Sequence, residues 1–122
     1  QRTTHNVGES LAKLADIMAK LRDPNGGCPW DLEQDFSTIA PYTIEEAYEV
    51  LDAINRNNMP DLKEELGDLL FQTVFHSQMA SEQGDFDLKD VIDGICEKMI
   101  RRHPHVFDTG DQRTSEAQTI AW

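Results

Sequence analysis

Leu11, Leu14, Met18 and Leu21 recur at spacings of three and four, the repeat of one helical face. This predicts a first helix over about residues 10 to 22. The stretch RDPNGGCPWD breaks it with Pro and Gly. From there to Pro41 the chain reads as an ordered loop, because it carries Trp30, Phe36 and Ile39. A second helix is expected over about 44 to 57, with Thr43 as N-cap and Glu46 three residues later, as in a capping box. A third begins near Pro60, a residue suited to a first helical position, and runs to about Gln83 before Gly84. A fourth follows Asp87, a favoured N-cap residue type, and stops in RRHPHVF, where Pro104 cannot continue it. No stretch has the alternation of a strand. The sequence therefore predicts an all-α chain of four helices, with a helical core over about 10–107 and a polar tail over 108–122.

The third helix is apolar nearly all round at Leu66, Leu69, Leu70, Phe71, Val74 and Phe75. A helix of that kind is buried on most sides. Four helices offer little spare material to cover it, so the bundle is expected to be completed by a second copy, as a dimer or a dimer of dimers.

The chain has 122 residues, the length of a single domain. Its formal net charge is −12, from 23 acids against 11 Lys plus Arg. That balance argues against general affinity for a nucleic-acid polymer or an anionic membrane. No apolar run approaches the length of a membrane span, about 20 residues. Cys28 and Cys96 are in no CxxC pair and no zinc spacing, as expected of reduced thiols in a cytoplasmic protein. The chain begins with Gln1 and stops at Trp122, which reads as a piece of something longer.

Charge placement changes this plain picture. The segment TIEEAYEVLD puts Glu45, Glu46, Glu49 and Asp52 on one helical arc. DLKEELGDLL repeats the arrangement with Asp61, Glu64, Glu65 and Asp68. Like charges at these spacings repel by about 0.2–0.5 kcal/mol per pair. On the third helix the acids share a stripe that continues as Phe71, Gln72, Phe75 and Met79. The carboxylates should therefore point inward or into a cleft. Inward acids without bases must be protonated or hold a cation, and nearby only Arg56 and Lys63 are basic. Oxygen ligands without His or Cys select hard ions, Mg²⁺ or Mn²⁺. A di-iron carboxylate bundle would use Glu-x-x-His, which does not occur here. Solvated surface is the alternative for either acidic segment alone.

EEAYE followed by EELGD resembles the EExxE…ExxD signature of the MazG family, all-α nucleoside triphosphate pyrophosphohydrolases. LRDPNGGCPWDLEQ, IAPYTIEEAYEVLDAI, DLKEELGDLLFQTVFHSQMA and KMIRRHPHVF support the resemblance over residues 11–107. The GCPWD loop looks like that of a first, N-terminal MazG domain in tandem proteins. The resemblance implies a bundle completed by oligomerisation and Mg²⁺-dependent cleavage of an NTP to NMP and pyrophosphate by metal-activated water. It implies Glu46, Glu49, Glu65 and Asp68 as metal ligands, the pairs projecting from one face of each helix. Glu45 would orient the attacking water or be a solvated neighbour; Glu64 and Asp52 are peripheral. Lys98 and Arg102 match positions that contact phosphate, with cations at a helix C-terminus as the plainer role. Trp30 and Trp122 could stack on the base, Trp30 having core packing as its other role. House-cleaning of abnormal nucleotides is compatible with this. The alternatives are a dUTP/dCTP-specific relative and a catalytically weak helical assembly module.

Other residues carry less. His103 and His105 flank Pro104 and read as a helix terminator rather than a metal pair; His76 is expected to pack along its helix. DPNGGC begins like a calcium loop but lacks that motif's later Gly and Glu. No P-loop pattern is present.

Overall fold

The computed structural model describes residues 4–107, with side chains from Asn6 onward. Trp122 lies outside the described residues. Six helices follow in order: α1 (Thr4–Leu21), α2 (Pro29–Glu33), α3 (Phe36–Asn55), α4 (Met59–Glu82), α5 (Leu88–Arg102) and α6 (Pro104–Phe107). Among the described residues no strand occurs, so the chain is all-α. Two compact units divide it, the first ending at Leu88 and the second beginning at Lys89.

The four long helices stand where the hydrophobic repeat put them, but two start early. α1 begins at Thr4 rather than near residue 10. α3 begins at Phe36, eight residues before the expected Ile44. Its N-cap is Asp35 rather than Thr43, and the capping box is formed with Thr38 rather than Glu46. Asp35 Oδ1 accepts from the Thr38 amide at 3.0 Å, and the Asp35 amide donates to Thr38 Oγ1 at 2.9 Å. This start is strong enough to carry the helix through Pro41. That proline forfeits one bond, to a first-turn carbonyl near solvent, so the usual cost of an interior proline is softened. The expected loop is thus half helical: α2, opened by Pro29, and the first turn of α3 occupy it.

α3 and α4 are joined by Arg56, Asn57 and Asn58 alone. Asn57 takes φ 54°, a conformation that asparagine tolerates better than most residues. Asn58 then caps α4 by accepting from the Asp61 amide at 3.0 Å. So short a link makes the two helices antiparallel neighbours, and they pack along their length, with α1 against α4.

The core is small. Met18, Ile39, Val74, Phe75 and Met79 are buried, and Leu14, Phe71 and Leu88 pack around them. By contrast Leu66 and Leu70 on α4, and Ile44, Tyr48 and Leu51 on α3, remain about half exposed or more in the single chain. Trp30 is 50% exposed in the single chain and meets Tyr42 edge-on, centroids 6.1 Å apart.

Arg22, just past α1, ties three segments together. Its Nη1 donates to the carbonyls of Asp31 at 2.6 Å and Gln34 at 3.0 Å. Its Nε and Nη2 grip both oxygens of Glu82 at 3.1 and 2.6 Å, and the guanidinium lies over the Phe75 ring at 5.7 Å. The Arg22 hydrogen bonds hold the Glu82 carboxyl below its ordinary range. A depressed carboxyl contributes stability above its unfolded pKa and loses it on acidification through the folded value. Arg22→Leu should therefore lower the unfolding free energy by about 2–4 kcal/mol at neutral pH, with a smaller deficit in acid. Urea melts at the two pH values check this; an unchanged midpoint at neutral pH refutes it.

Candidate metal centre

α3 and α4 each present one acidic face to the groove between them. Glu46 from α3 and Glu65 and Asp68 from α4 bring one carboxylate oxygen each within 4.8 Å of one another. Glu46 and Glu65 are half-buried; Asp68 is exposed. The spacing of Glu65 and Asp68, three apart, puts both on one side of α4. The antiparallel packing then sets Glu46 opposite them.

The electrostatics of this group are unfavourable as it stands. Glu46 Oε2 is sealed from solvent and receives no hydrogen bond. Burial first, then the charge of Asp68 and the contact with Glu65, push the Glu46 carboxyl up. Burial also raises Glu65, opposed by its bond with Glu46 and reinforced by Glu49, Asp68 and Asp61. Two carboxyls can hydrogen-bond only by sharing a proton. Losing a proton is therefore harder for this pair than for isolated glutamates.

The expected ligand Glu49 lies one turn beyond Glu46 on α3, exposed. It is not among the three oxygens that converge, yet its charge acts on both Glu46 and Glu65. Glu45, Glu64 and Asp52 are exposed, Asp52 being bound to Arg56 at 2.9 Å. Lys98 and Arg102 belong to the second unit, both half-buried four residues apart on α5, while Arg101 is exposed. His103 Nδ1 meets the Met99 carbonyl at 2.6 Å, as expected where a helix ends. The sequence placed Gln72 on the acidic stripe, Thr43 at a helix cap and His76 along its helix without giving them a part here; Gln72 Oε1 is buried without a partner, and the Thr43 and His76 side chains meet at 2.9 Å. The signal was present, since Gln72 stands seven and four residues after Glu65 and Asp68.

The donor set fits a hard divalent cation. Mg²⁺ binds oxygens at about 2.1 Å, so opposed ligands on one ion lie about 4.2 Å apart. Oxygens already within 4.8 Å need only small rotations to close on it. A bound cation would also satisfy the orphaned Glu46 Oε2.

Comparison with known proteins agrees with this geometry. A profile of the MazG nucleotide pyrophosphohydrolase domain matches residues 34–107. The chain is 60% identical over 112 residues to the nucleoside triphosphate pyrophosphohydrolase of Escherichia coli K12, covering 92% of this chain and 43% of that protein. It is 54% identical over 101 residues to the nucleoside triphosphate pyrophosphohydrolase/pyrophosphatase MazG of Thermotoga maritima, covering 83% and 39%. The crystal structure of a mazG-related protein from Thermotoga maritima superposes with TM-score 0.72 at 27% identity, covering 91% of this chain and 94% of that one. The chain spans less than half the length of the curated relatives it matches.

The raised carboxyls give a signed prediction. Between the ordinary glutamate value of 4.5 and the raised values, the folded chain holds more protons than the unfolded one. Their contribution to metal-free stability therefore falls as pH rises through that window. Glu46→Gln should flatten this fall, raise metal-free stability at neutral pH, and abolish stabilisation by added Mg²⁺. Thermal melts in EDTA and in Mg²⁺ test it; a less stable metal-free variant contradicts it.

Proposed function

The chain belongs to the MazG nucleotide pyrophosphohydrolase family, and from that premise we propose that it hydrolyses nucleoside triphosphates to monophosphate and pyrophosphate at the acidic groove of α3 and α4. The observation that carries this is the convergence of Glu46, Glu65 and Asp68 around a sealed, unbonded carboxylate oxygen.

In this reading Glu46, Glu49, Glu65 and Asp68 hold Mg²⁺, with Mn²⁺ as a substitute. When bound, the ion neutralises the phosphate chain and lowers the pKa of the attacking water. Glu49 closes on the site by a side-chain rotation from its exposed position. Glu45 orients the water. Its oxygen attacks phosphorus in line, the α–β anhydride bond breaks, and the bridging oxygen leaves with pyrophosphate. Lys98 and Arg102 offset the charge of that leaving group. Trp30, held half-exposed by α2, offers a flat face to the base, and Trp122 is a second candidate for that contact. A chain carrying −12 repels free nucleotide, so neutralisation by the cation has to precede or accompany binding.

The uncovered residues Ile44, Tyr48 and Leu51 on α3 and Leu66 and Leu70 on α4 make association with a second copy part of the proposal, since large apolar side chains left exposed along two packed helices suit a partner surface. Both cysteines are free, which suits the cytoplasm. Among the described residues no helix is long and apolar enough to cross a membrane.

Pyrophosphate release from a mixture of NTPs and dNTPs should require a divalent cation and fall by a factor of about 10² or more in Glu49→Gln. Turnover unchanged by that substitution would falsify the ligand set. Hydrolysis confined to dUTP or dCTP would move the assignment to the pyrimidine-specific relatives. Light scattering should give at least a dimer at micromolar concentration.

A further inference from the structure

The three converging carboxylates come from two helices, and before a cation arrives their charges push those helices apart. Something in the scaffold has to oppose this, and two cross-links flank the acidic group within the first unit. At one end Arg56, capping α3, bonds Asp61 of α4 at 3.0 Å. At the other, Thr43 Oγ1 of α3 meets His76 Nε2 of α4 at 2.9 Å. Thr43 stands three residues before Glu46, one turn along the same face. Asp61 stands one turn before Glu65.

The two links differ in strength. The Arg56 and Asp61 side chains are 45% and 41% exposed. Such surface pairs contribute little and weaken with salt. The Thr43–His76 link is partly buried, and the His76 ring lies parallel to Phe36, centroids 5.8 Å apart with an interplanar angle of 2°. Burial favours the neutral imidazole. Thr43 Oγ1 also lies 3.4 Å from the Ile39 carbonyl. The threonine hydroxyl can donate there while accepting from His76, so its rotor is set by two partners. A neutral bond in a half-dry groove keeps its strength at ionic strengths that screen the outer pair.

We propose that Thr43 and His76 are positioning residues that lock the register of α3 against α4, so that Glu46 meets Glu65 and Asp68 before any metal binds. The inference rests on the metal reading of that carboxylate group. It assigns the pair no contact with substrate. Their effect is on how much of the metal's binding energy is spent in drawing the helices together.

The test uses Mn²⁺ alone, with binding followed by its electron paramagnetic resonance signal at moderate salt, beside a thermal melt in EDTA. Thr43→Val keeps the side-chain shape and removes the hydroxyl; Thr43→Ser keeps the hydroxyl. Losing one such bond should weaken Mn²⁺ binding by about five- to tenfold in Thr43→Val, with Thr43→Ser within about twofold of the unaltered chain. His76→Leu should match Thr43→Val and stands in for it if the valine variant does not fold. Unaltered Mn²⁺ affinity in Thr43→Val and His76→Leu, with or without a lower melting temperature, overturns the positioning role and leaves the metal site standing. Equal weakening in Thr43→Val and Thr43→Ser also overturns it, because the hydroxyl is then not the cause. Failure of the unaltered chain to bind Mn²⁺ overturns the metal reading, and this inference with it.

Discussion

Repulsion among carboxylates held close together is the constraint around which this chain is arranged. Glu46, Glu65 and Asp68 approach within 4.8 Å, and the partial burial of Glu46 and Glu65 strengthens the interaction between those two by lowering the local dielectric. A surface cluster would relax by splaying into water. This one cannot, since Glu46 Oε2 is sealed between helices. The strain shows as carboxyls of Glu46 and Glu65 pushed above their ordinary range, first by burial and then by their acidic neighbours, and a divalent cation would relieve it.

Holding the cluster together falls to a modest scaffold. The buried core amounts to Met18, Ile39, Val74, Phe75 and Met79 with their neighbours, toward the C-terminal half of α4. The acidic residues occupy the other half of the same helix. α4 is thus one rod with an apolar end that anchors it and a charged end that carries the acidic cluster. Arg22 fastens the anchored end by gripping Glu82 and the carbonyls of Asp31 and Gln34 at the end of α2. The three-residue turn through Asn57 fastens the charged end to α3. Between them lie Thr43 and His76, the one partly buried polar contact described above that crosses from helix to helix beside the site.

Helix identity was legible because the three-and-four repeat of Leu11, Leu14, Met18 and Leu21, and of the acids on α3 and α4, survives any tertiary arrangement. The start of α3 was not. Pro41 signals a break in any local reading, and only the reciprocal bonds of Asp35 and Thr38 show why the helix begins before it. Nor was the exposure of Trp30: the sequence left it either stacking on a base or packing in the core, and only the placement of α2 leaves it half exposed in the single chain.

The sequence by itself determined an all-helical chain and two acidic faces, because periodicity is a property of consecutive residues. It also carried the family likeness, which lies in ordered motifs. That likeness named Glu46, Glu49, Glu65 and Asp68 together; what only the tertiary structure decided is that three of these, without Glu49, bring their oxygens together. Glu46, Glu65 and Asp68 converge while Glu45, Glu64 and Asp52 face solvent. The choice depends on the rotation and register of α3 against α4, which packing sets across the groove and no spacing along one helix can specify.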